Sequence, residues 1–119
     1  MSRGPEPAVA DVFFALGDET RLSVMRRLGA GVPLSATALS DGARVTRQAI
    51  AKHLRVLEDA RLVTHEKRGR EVLYALDARR IEEARAFLEA VSAGWDRAIE
   101  RLRRMVEERP HRTPKKRRR

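Results

Sequence analysis

The chain has 119 residues, of which 42% are hydrophobic and 36% charged, a balance that suits one soluble globular domain with a modest core. It contains no cysteine, which excludes disulfides, thiolate catalysis and sulfur-ligated metal sites. No stretch approaches the roughly 18 consecutive apolar residues of a membrane span, and the N-terminus lacks the apolar region of a signal peptide. A cytoplasmic location is therefore expected.

The net charge of +9 is concentrated at the C-terminal end. Six of the 26 Lys and Arg residues, and none of the 17 Asp and Glu residues, fall within residues 110–119, so the remainder has 20 basic against 17 acidic residues, a net +3. Because the body of the chain is only mildly basic, net charge alone does not establish a polyanionic partner. Binding of a nucleic acid has to be argued from local geometry.

The N-terminal part predicts a loose arm followed by two helices. Residues 1–7 contain two prolines and a glycine without periodicity, which is typical of a flexible arm. Apolar residues at helical spacing predict a first helix over residues 8–16. Asp18 is a suitable N-cap for a second helix over residues 19–28, which Gly29 ends.

The next segment predicts two helices separated by a tight turn. A short extended link over residues 32–34 leads to Ser35, which caps a third helix over residues 36–40. The sequence Asp41-Gly42-Ala43 forms the turn. Thr46 then caps a fourth helix that ends near Ala60.

From Leu62 onward the spacing of apolar residues changes from helical to alternating. The sequence "LVTHEKRGREVLYAL" predicts a β-hairpin with a basic tip at Arg68-Gly69-Arg70. A long fifth helix follows over residues 78–108. Residues 109–119, with two prolines and a run of basic residues, predict a disordered basic tail. The predicted fold class is therefore mainly α with a small β-hairpin.

The fourth helix, within "VTRQAIAKHLRVLEDARLV", has two chemically different faces. Its apolar face consists of Ile50, Leu54 and Leu57, and the opposite face presents Gln48, Lys52 and Arg55. Amide, ammonium and guanidinium groups are the donors that read purine edges in a DNA major groove. A solvated helix face is the simpler alternative. A membrane-surface helix fits less well, because the apolar stripe is narrow and lacks Trp or Phe.

The order of elements favours the DNA-binding interpretation. A short helix, a tight turn, a helix with outward donors and a basic hairpin together predict a winged helix-turn-helix, in which the second helix enters the groove. His53 lies beside the apolar face, so we expect it to be half-buried or to contact a phosphate rather than to read a base. The predicted DNA-contacting residues are Ser35, Thr37, Thr46, Arg47, Gln48, Lys52, His53, Arg55, Lys67, Arg68 and Arg70.

The fifth helix predicts a dimer interface. Its apolar residues follow a 3-4 spacing over more than three heptads, which marks a helix packed along another helix. A helix roughly 45 Å long, at ~1.5 Å per residue, is more than one small domain can cover. The predicted interface comprises Val9, Val12, Phe13, Leu88, Val91, Trp95, Ala98, Leu102 and Met105. Two alternatives are packing within the monomer and an effector pocket lined by Trp95 and Phe87.

Three segments of the chain resemble one known family. The sequences "FFALGDETRLSVMRRL", "VTRQAIAKHLRVLEDARLV" and "KRGREVLYAL" are similar, in order and spacing, to the signature segments of the ArsR-type (arsenic-repressor-like) bacterial transcription regulators. The resemblance implies a homodimeric repressor that binds a palindromic operator and is released by an inducer. It also implies that Asp18, Thr20, Arg21 and Leu22 are scaffold positions of the second helix.

The chain departs from the metal-sensing members of that family. Its third-helix region, "LSATALSDG", has no cysteine, its last helix has no histidine, and its three histidines lack ligand-like spacing. We expect no metal and no cofactor. The long, Trp-bearing last helix resembles a subgroup without metal sites, whose effector would be an unknown small molecule or protein.

No catalytic triad, paired-histidine motif or phosphate-binding loop is present, so an enzyme is not expected. The prediction is a sequence-specific regulator associated with the cytoplasmic nucleoid that binds double-stranded DNA as a homodimer and lacks a membrane partner. A nonspecific architectural DNA- or RNA-binding protein is the alternative, since the basic tail suits it.

Overall fold

A computed structural model describes residues 8–108, which form five helices and a small antiparallel sheet. In chain order these are α1 (Val9–Leu16), α2 (Glu19–Leu28), β1 (Leu34–Ser35), α3 (Ala36–Ser40), α4 (Arg47–Asp59), β2 (Val63–Arg68), β3 (Glu71–Leu76) and α5 (Ala78–Glu108). The prediction of a mainly helical fold with a hairpin wing is confirmed. The predicted arm, residues 1–7, and the predicted tail, residues 109–119, lie outside the described residues.

The chain divides into two units, of which the structure describes residues 8–84 and residues 85–108. The first contains all elements from α1 to β3 and the first residues of α5. The second consists of the remainder of α5.

Side-chain caps start three of the helices as the sequence predicts. The Asp18 carboxylate accepts the backbone N–H of Arg21 at 3.0 Å at the start of α2. The hydroxyls of Ser35 and Thr46 accept backbone N–H groups in the first turns of α3 and α4, both at 3.1 Å. These contacts satisfy amides that a helix leaves unpaired, which is why each helix begins where it does.

The sheet has the order β1-β3-β2, with both pairs antiparallel. Arg68 pairs with Glu71, so only two residues form the hairpin turn, and Gly69 adopts a φ of +61° there. The sequence predicted the hairpin but described residues 32–34 only as an extended link. Leu34 in fact pairs with Tyr74. A two-residue strand carries no alternation, so its partner was not visible in the sequence.

The core of residues 8–84 is built around the apolar face of α4. Ile50, Leu54 and Leu57 are at most 1% exposed, as predicted from their helical spacing. Burial of each such side chain contributes about 1.5–3 kcal/mol, so three of them hold α4 firmly in the fold. The other buried members are Val12, Ala15, Val24, Leu28, Leu39, Ala60, Leu62 and Val63.

The burial of Val12 corrects one prediction. Val12 was assigned to the dimer interface, but it is only 2% exposed and belongs to the core of its own chain. Its side chain is therefore not available to a second chain. Val9, in the same helix, is 38% exposed. The spacing of apolar residues placed both on one helix but did not distinguish which of them faced inward.

Candidate nucleic-acid interface

The outer face of α4 presents polar side chains from a fixed scaffold. Arg47, Gln48, Lys52 and Arg55 are all exposed, on the side opposite the three buried aliphatic residues. Because the inner face is anchored in the core, these donors project from a backbone that does not need to reorganise. That arrangement suits recognition of a fixed pattern of acceptors.

A cleft of about 860 Å³ lies between the start of α4, the start of α3 and the wing. It brings together five of the predicted DNA-contacting residues: Ser35, Thr37, Arg47, Gln48 and Arg70. Two guanidinium groups, two hydroxyls and one amide thus share one concave surface. These are the side chains that proteins commonly use to contact phosphates and base edges.

The other predicted residues lie outside the lining of this cleft. Lys67 and Arg68 are exposed on β2, at the wing. Arg68 lies 3.8 Å from a Glu66 carboxylate, but both side chains are more than 60% exposed, so this ion pair contributes little stability. The wing cations remain accessible to a polyanion. Lys52 and Arg55 extend the exposed face along α4.

The cleft also contains residues that the sequence analysis did not assign to it. Asp41, Glu71 and Tyr74 line it together with the basic residues. Asp41 was predicted only as part of a turn, and Glu71 and Tyr74 only as strand residues. Burial, and secondarily the Glu58 carboxylate, raise the pKa of the Tyr74 phenol above its ordinary value, while Arg55 lowers it. The Tyr74 hydroxyl therefore keeps its proton at neutral pH and is available as a donor.

His53 faces its own scaffold rather than the outer surface. Its ring Nδ1 lies 3.1 Å from a guanidinium nitrogen of Arg21 and 3.7 Å from the Asp18 carboxylate, and its side chain is 22% exposed. The expectation of a half-buried residue is confirmed. Its assignment as a DNA contact has no support from this geometry.

Arg27 has a structural role that the sequence analysis missed. Its guanidinium donates to the carbonyl of Leu39 at 2.9 Å and to that of Ala38 at 3.0 Å. These carbonyls lie near the end of α3, where a helix of five residues leaves most of its acceptors unpaired. In the sequence, Arg27 is one of two basic residues in the last turn of α2, a position that does not identify a partner. Its contact with α3 depends on how the two helices pack.

Within residues 8–108 no cluster of three or more His, Asp or Glu side chains is arranged to hold a metal ion. In the same part of the chain, none of the helices combines the length and apolar character needed to span a membrane.

Comparison with known proteins defines the class. A family described as "Helix-turn-helix domain" matches residues 16–66, which run from the end of α1 into β2. The HTH-type transcriptional regulator Rv2034 of Mycobacterium tuberculosis is 36% identical over 85 residues, covering 71% of this chain and 76% of that protein. Fold and interface together define a winged helix-turn-helix protein that regulates transcription by binding DNA.

The solved structures narrow the assignment. An ArsR-like transcriptional regulator from Rhodococcus sp. RHA1 matches with a TM-score of 0.67 and 38% identity, over 82% of this chain and 91% of that one. A homodimeric winged helix-turn-helix DNA-binding domain from Mycobacterium bovis shares the fold, with a TM-score of 0.56 and 22% identity over 78% of this chain and 82% of that one. The chain belongs to the ArsR-like family of transcriptional regulators.

Proposed function

We propose that the protein is a sequence-specific repressor that binds an inverted-repeat operator as a homodimer. The observation that carries this proposal is the pairing of a rigid, donor-bearing α4 with a cleft that it shares with the wing. A fixed helix can hold Gln48 and Lys52 against base edges, which a mobile basic segment cannot do. The regulatory class is established by the family, and sequence specificity, symmetry and repression are the proposed additions.

The proposed DNA contacts divide by their chemistry. Gln48, Lys52 and Arg55 extend from the outer face of α4 and are the proposed base-reading residues. The remaining contacts are proposed to bind phosphates through hydroxyl or cationic groups. They are Ser35, Thr37, Thr46, Arg47, Lys67, Arg68 and Arg70. His53 is left out of this set because its ring Nδ1 is directed at Arg21 and Asp18.

The exposed apolar face of α5 supports a homodimer. Within residues 85–108, seven large apolar side chains are at least 43% exposed in the single chain: Phe87, Leu88, Trp95, Ile99, Leu102, Met105 and Val106. A contiguous apolar surface of this kind on a small protein marks an interaction site. The Mycobacterium bovis neighbour is described as homodimeric. We propose a second copy of this chain as the partner, with Val9, Phe13, Val91 and Ala98 completing the interface.

A two-fold dimer determines what the operator looks like. Two copies of α4 related by the dimer axis would read two half-sites in opposite orientation, separated by about one helical turn of DNA or a multiple of it. The operator would lie on chromosomal DNA in the cytoplasm. Release by a small molecule or protein effector completes the proposal, and the apolar surface around Trp95 and Phe87 is an alternative place for such an effector.

Selection of bound duplexes from a random DNA pool tests the proposal directly. We expect enrichment of one inverted repeat, and we expect the enriched sequence to shift at one or two base pairs per half-site when Gln48→Ala is used instead of the parent protein. A pool that stays random after repeated selection would contradict sequence specificity and favour an architectural DNA- or RNA-binding protein. A direct repeat or a single half-site would contradict the two-fold arrangement.

A further inference from the structure

The guanidinium of Arg21 connects three helices of the DNA-binding unit. Arg21 lies on α2, and its Nε donates to the Ala15 carbonyl of α1 at 2.6 Å. One terminal nitrogen donates to the Phe14 carbonyl at 3.4 Å, and the other lies 3.1 Å from Nδ1 of His53, on α4. The planar, five-donor guanidinium can make such divergent bonds from one rigid group, which a lysine cannot.

The hydrogen bond from Arg21 assigns the acceptor role to Nδ1 of His53. A guanidinium has donors only, so Nδ1 of His53 has to be the acceptor. In the tautomer that makes this hydrogen bond, the ring proton lies on Nε2. The carboxylate of Asp18 lies beside the same contact, since it accepts the Arg21 backbone N–H at 3.0 Å and lies 3.7 Å from Nδ1 of His53.

The position of His53 on α4 gives this hydrogen bond its functional consequence. His53 directly follows Lys52 and precedes the buried Leu54, so it lies on the boundary between the outer and inner faces of the helix. The apolar residues hold α4 in the core, but their contacts are non-directional and define its exact rotation and axial position less sharply than a hydrogen bond does. A directional hydrogen bond at the helix boundary restricts those movements.

We infer that Arg21 and His53 form a positioning pair that sets the rotation and axial position of α4 relative to α1 and α2. The pair acts on DNA through Gln48 and Lys52, whose placement it determines, and touches no DNA itself. This inference rests on the proposed role of α4 as the recognition helix. It predicts that breaking the hydrogen bond reduces preference for the operator without reducing affinity for DNA in general.

Two amide substitutions at His53 separate this role from direct binding of a phosphate. In His53→Asn the side-chain oxygen lies two bonds from Cβ, as Nδ1 does, so an acceptor for Arg21 is retained. In His53→Gln the amide lies three bonds from Cβ, where Nε2 is, and the acceptor for Arg21 is misplaced. Asn has the lower helix propensity, so a difference in propensity alone would favour the Gln variant.

The experiment measures the affinity of both variants for two duplexes. One is the inverted repeat selected by the parent protein, and the other is a scrambled duplex of equal length. We expect His53→Asn to retain the ratio of the two affinities within about twofold, and His53→Gln to lower it about tenfold, which corresponds to one misaligned base contact. Affinity for the scrambled duplex should stay unchanged in both. Thermal unfolding followed by circular dichroism would establish that both variants are folded at the assay temperature.

Other outcomes would overturn the inference. A reduced ratio in His53→Asn with an unchanged ratio in His53→Gln would indicate that Nε2 binds a phosphate, and equal behaviour of the two variants would indicate a packing role alone. If His53→Gln does not fold, Arg21→Lys provides the same comparison, since one ammonium cannot reproduce all three hydrogen bonds. Gln48→Ala is the control for the underlying proposal: unchanged preference in that variant would refute the role of α4, independently of His53.

Discussion

The helices α4 and α5 have similar amphipathic patterns but different environments. In α4 the apolar residues Ile50, Leu54 and Leu57 are at most 1% exposed, because other elements of the same chain cover them. In the part of α5 over residues 85–108, Trp95 is 61% exposed and Leu102 is 59% exposed. An apolar stripe predicts that a helix is covered, and it does not say by which chain.

This difference suggests a division of labour. Residues 8–84 hold the proposed DNA-contacting groups on a buried core, and residues 85–108 carry an exposed apolar surface that we propose a second copy covers. Substitutions in the first should alter folding and recognition within one copy. Those in the second should alter association between copies, and their effects should depend on protein concentration.

The largest expected effect is that of Trp95→Ala on dimer stability. Removing a large aromatic side chain from a buried interface costs about 3–5 kcal/mol. We expect the variant to sediment as a monomer at low micromolar concentration, with weaker operator binding. Asp96→Ala, at the neighbouring exposed position, is the control and should remain dimeric. A Trp95→Ala protein as dimeric as its parent would remove Trp95 from the interface.

Leu54→Ala should destabilise the fold of each copy by about 2–5 kcal/mol, because it opens a cavity in the core. Denaturant midpoints measured over a range of protein concentrations would test this. The difference in denaturant midpoint between the parent and Leu54→Ala should stay constant across that range of protein concentration. The matched variant Leu102→Ala should differ from the parent only at concentrations where the parent is dimeric. Similar concentration dependence in both variants would contradict the distinction between the two helices.

Gln48→Ala or Lys52→Ala should weaken binding to the selected operator by about 1–3 kcal/mol and relax preference at one or two base pairs per half-site.

Removal of residues 110–119 should affect DNA binding differently from these two substitutions. It should weaken operator and scrambled duplexes by similar factors and make the salt dependence shallower, by about 0.9 in slope for each phosphate that the tail neutralises. Binding titrations over a salt series measure both. Disappearance of the preference on tail removal alone would reverse these assignments.

Arg27→Gln should loosen α3 with a smaller effect on overall stability, about 1 kcal/mol, because it removes charge-assisted donors from two carbonyls at a partly exposed site. Hydrogen exchange of the amides in residues 36–40 should accelerate. Arg26→Gln, on the adjacent exposed residue, serves as the control. Unchanged exchange in α3 would show that Arg27 does not stabilise this helix.

The smallest expected effect is a pH dependence at Asp18. The backbone N–H of Arg21 lowers the pKa of Asp18 below its ordinary value of 3.8; burial opposes this, and the charges of His53 and Arg21 add to it. A lowered pKa in the folded state means that the carboxylate stabilises the fold above the unfolded pKa, and that this contribution disappears as the pH falls through the folded pKa. Asp18→Asn should therefore be less stable than the parent at neutral pH.

The difference in stability between Asp18→Asn and its parent should shrink as the pH falls through the pKa of the folded carboxyl, which lies below 3.8. Urea unfolding at neutral pH and at an acidic pH below 3.8 measures this difference. Asp96→Asn, on α5, is the matched control and should show no such change. A constant difference at both pH values would indicate that the Asp18 charge does not stabilise α2.

Most of the local structure could be predicted from the sequence because it depends on neighbouring residues. The caps Asp18, Ser35 and Thr46 mark helix starts by bonding amides three residues away, and the face formed by Ile50, Leu54 and Leu57 follows from helical periodicity. The same periodicity placed Gln48 and Lys52 on the outer face. The wing followed from the change to alternating spacing.

Contacts between distant segments were decided only by the tertiary structure. Arg21 reaches His53 across 32 positions of the chain, and Arg27 reaches the carbonyls of α3. Val12 is enclosed by the core although its pattern equally allowed an interface. Propensity and periodicity describe groups a few residues apart, whereas these contacts depend on how helices pack. A long side chain on an amphipathic helix is compatible with several partners until that packing selects one.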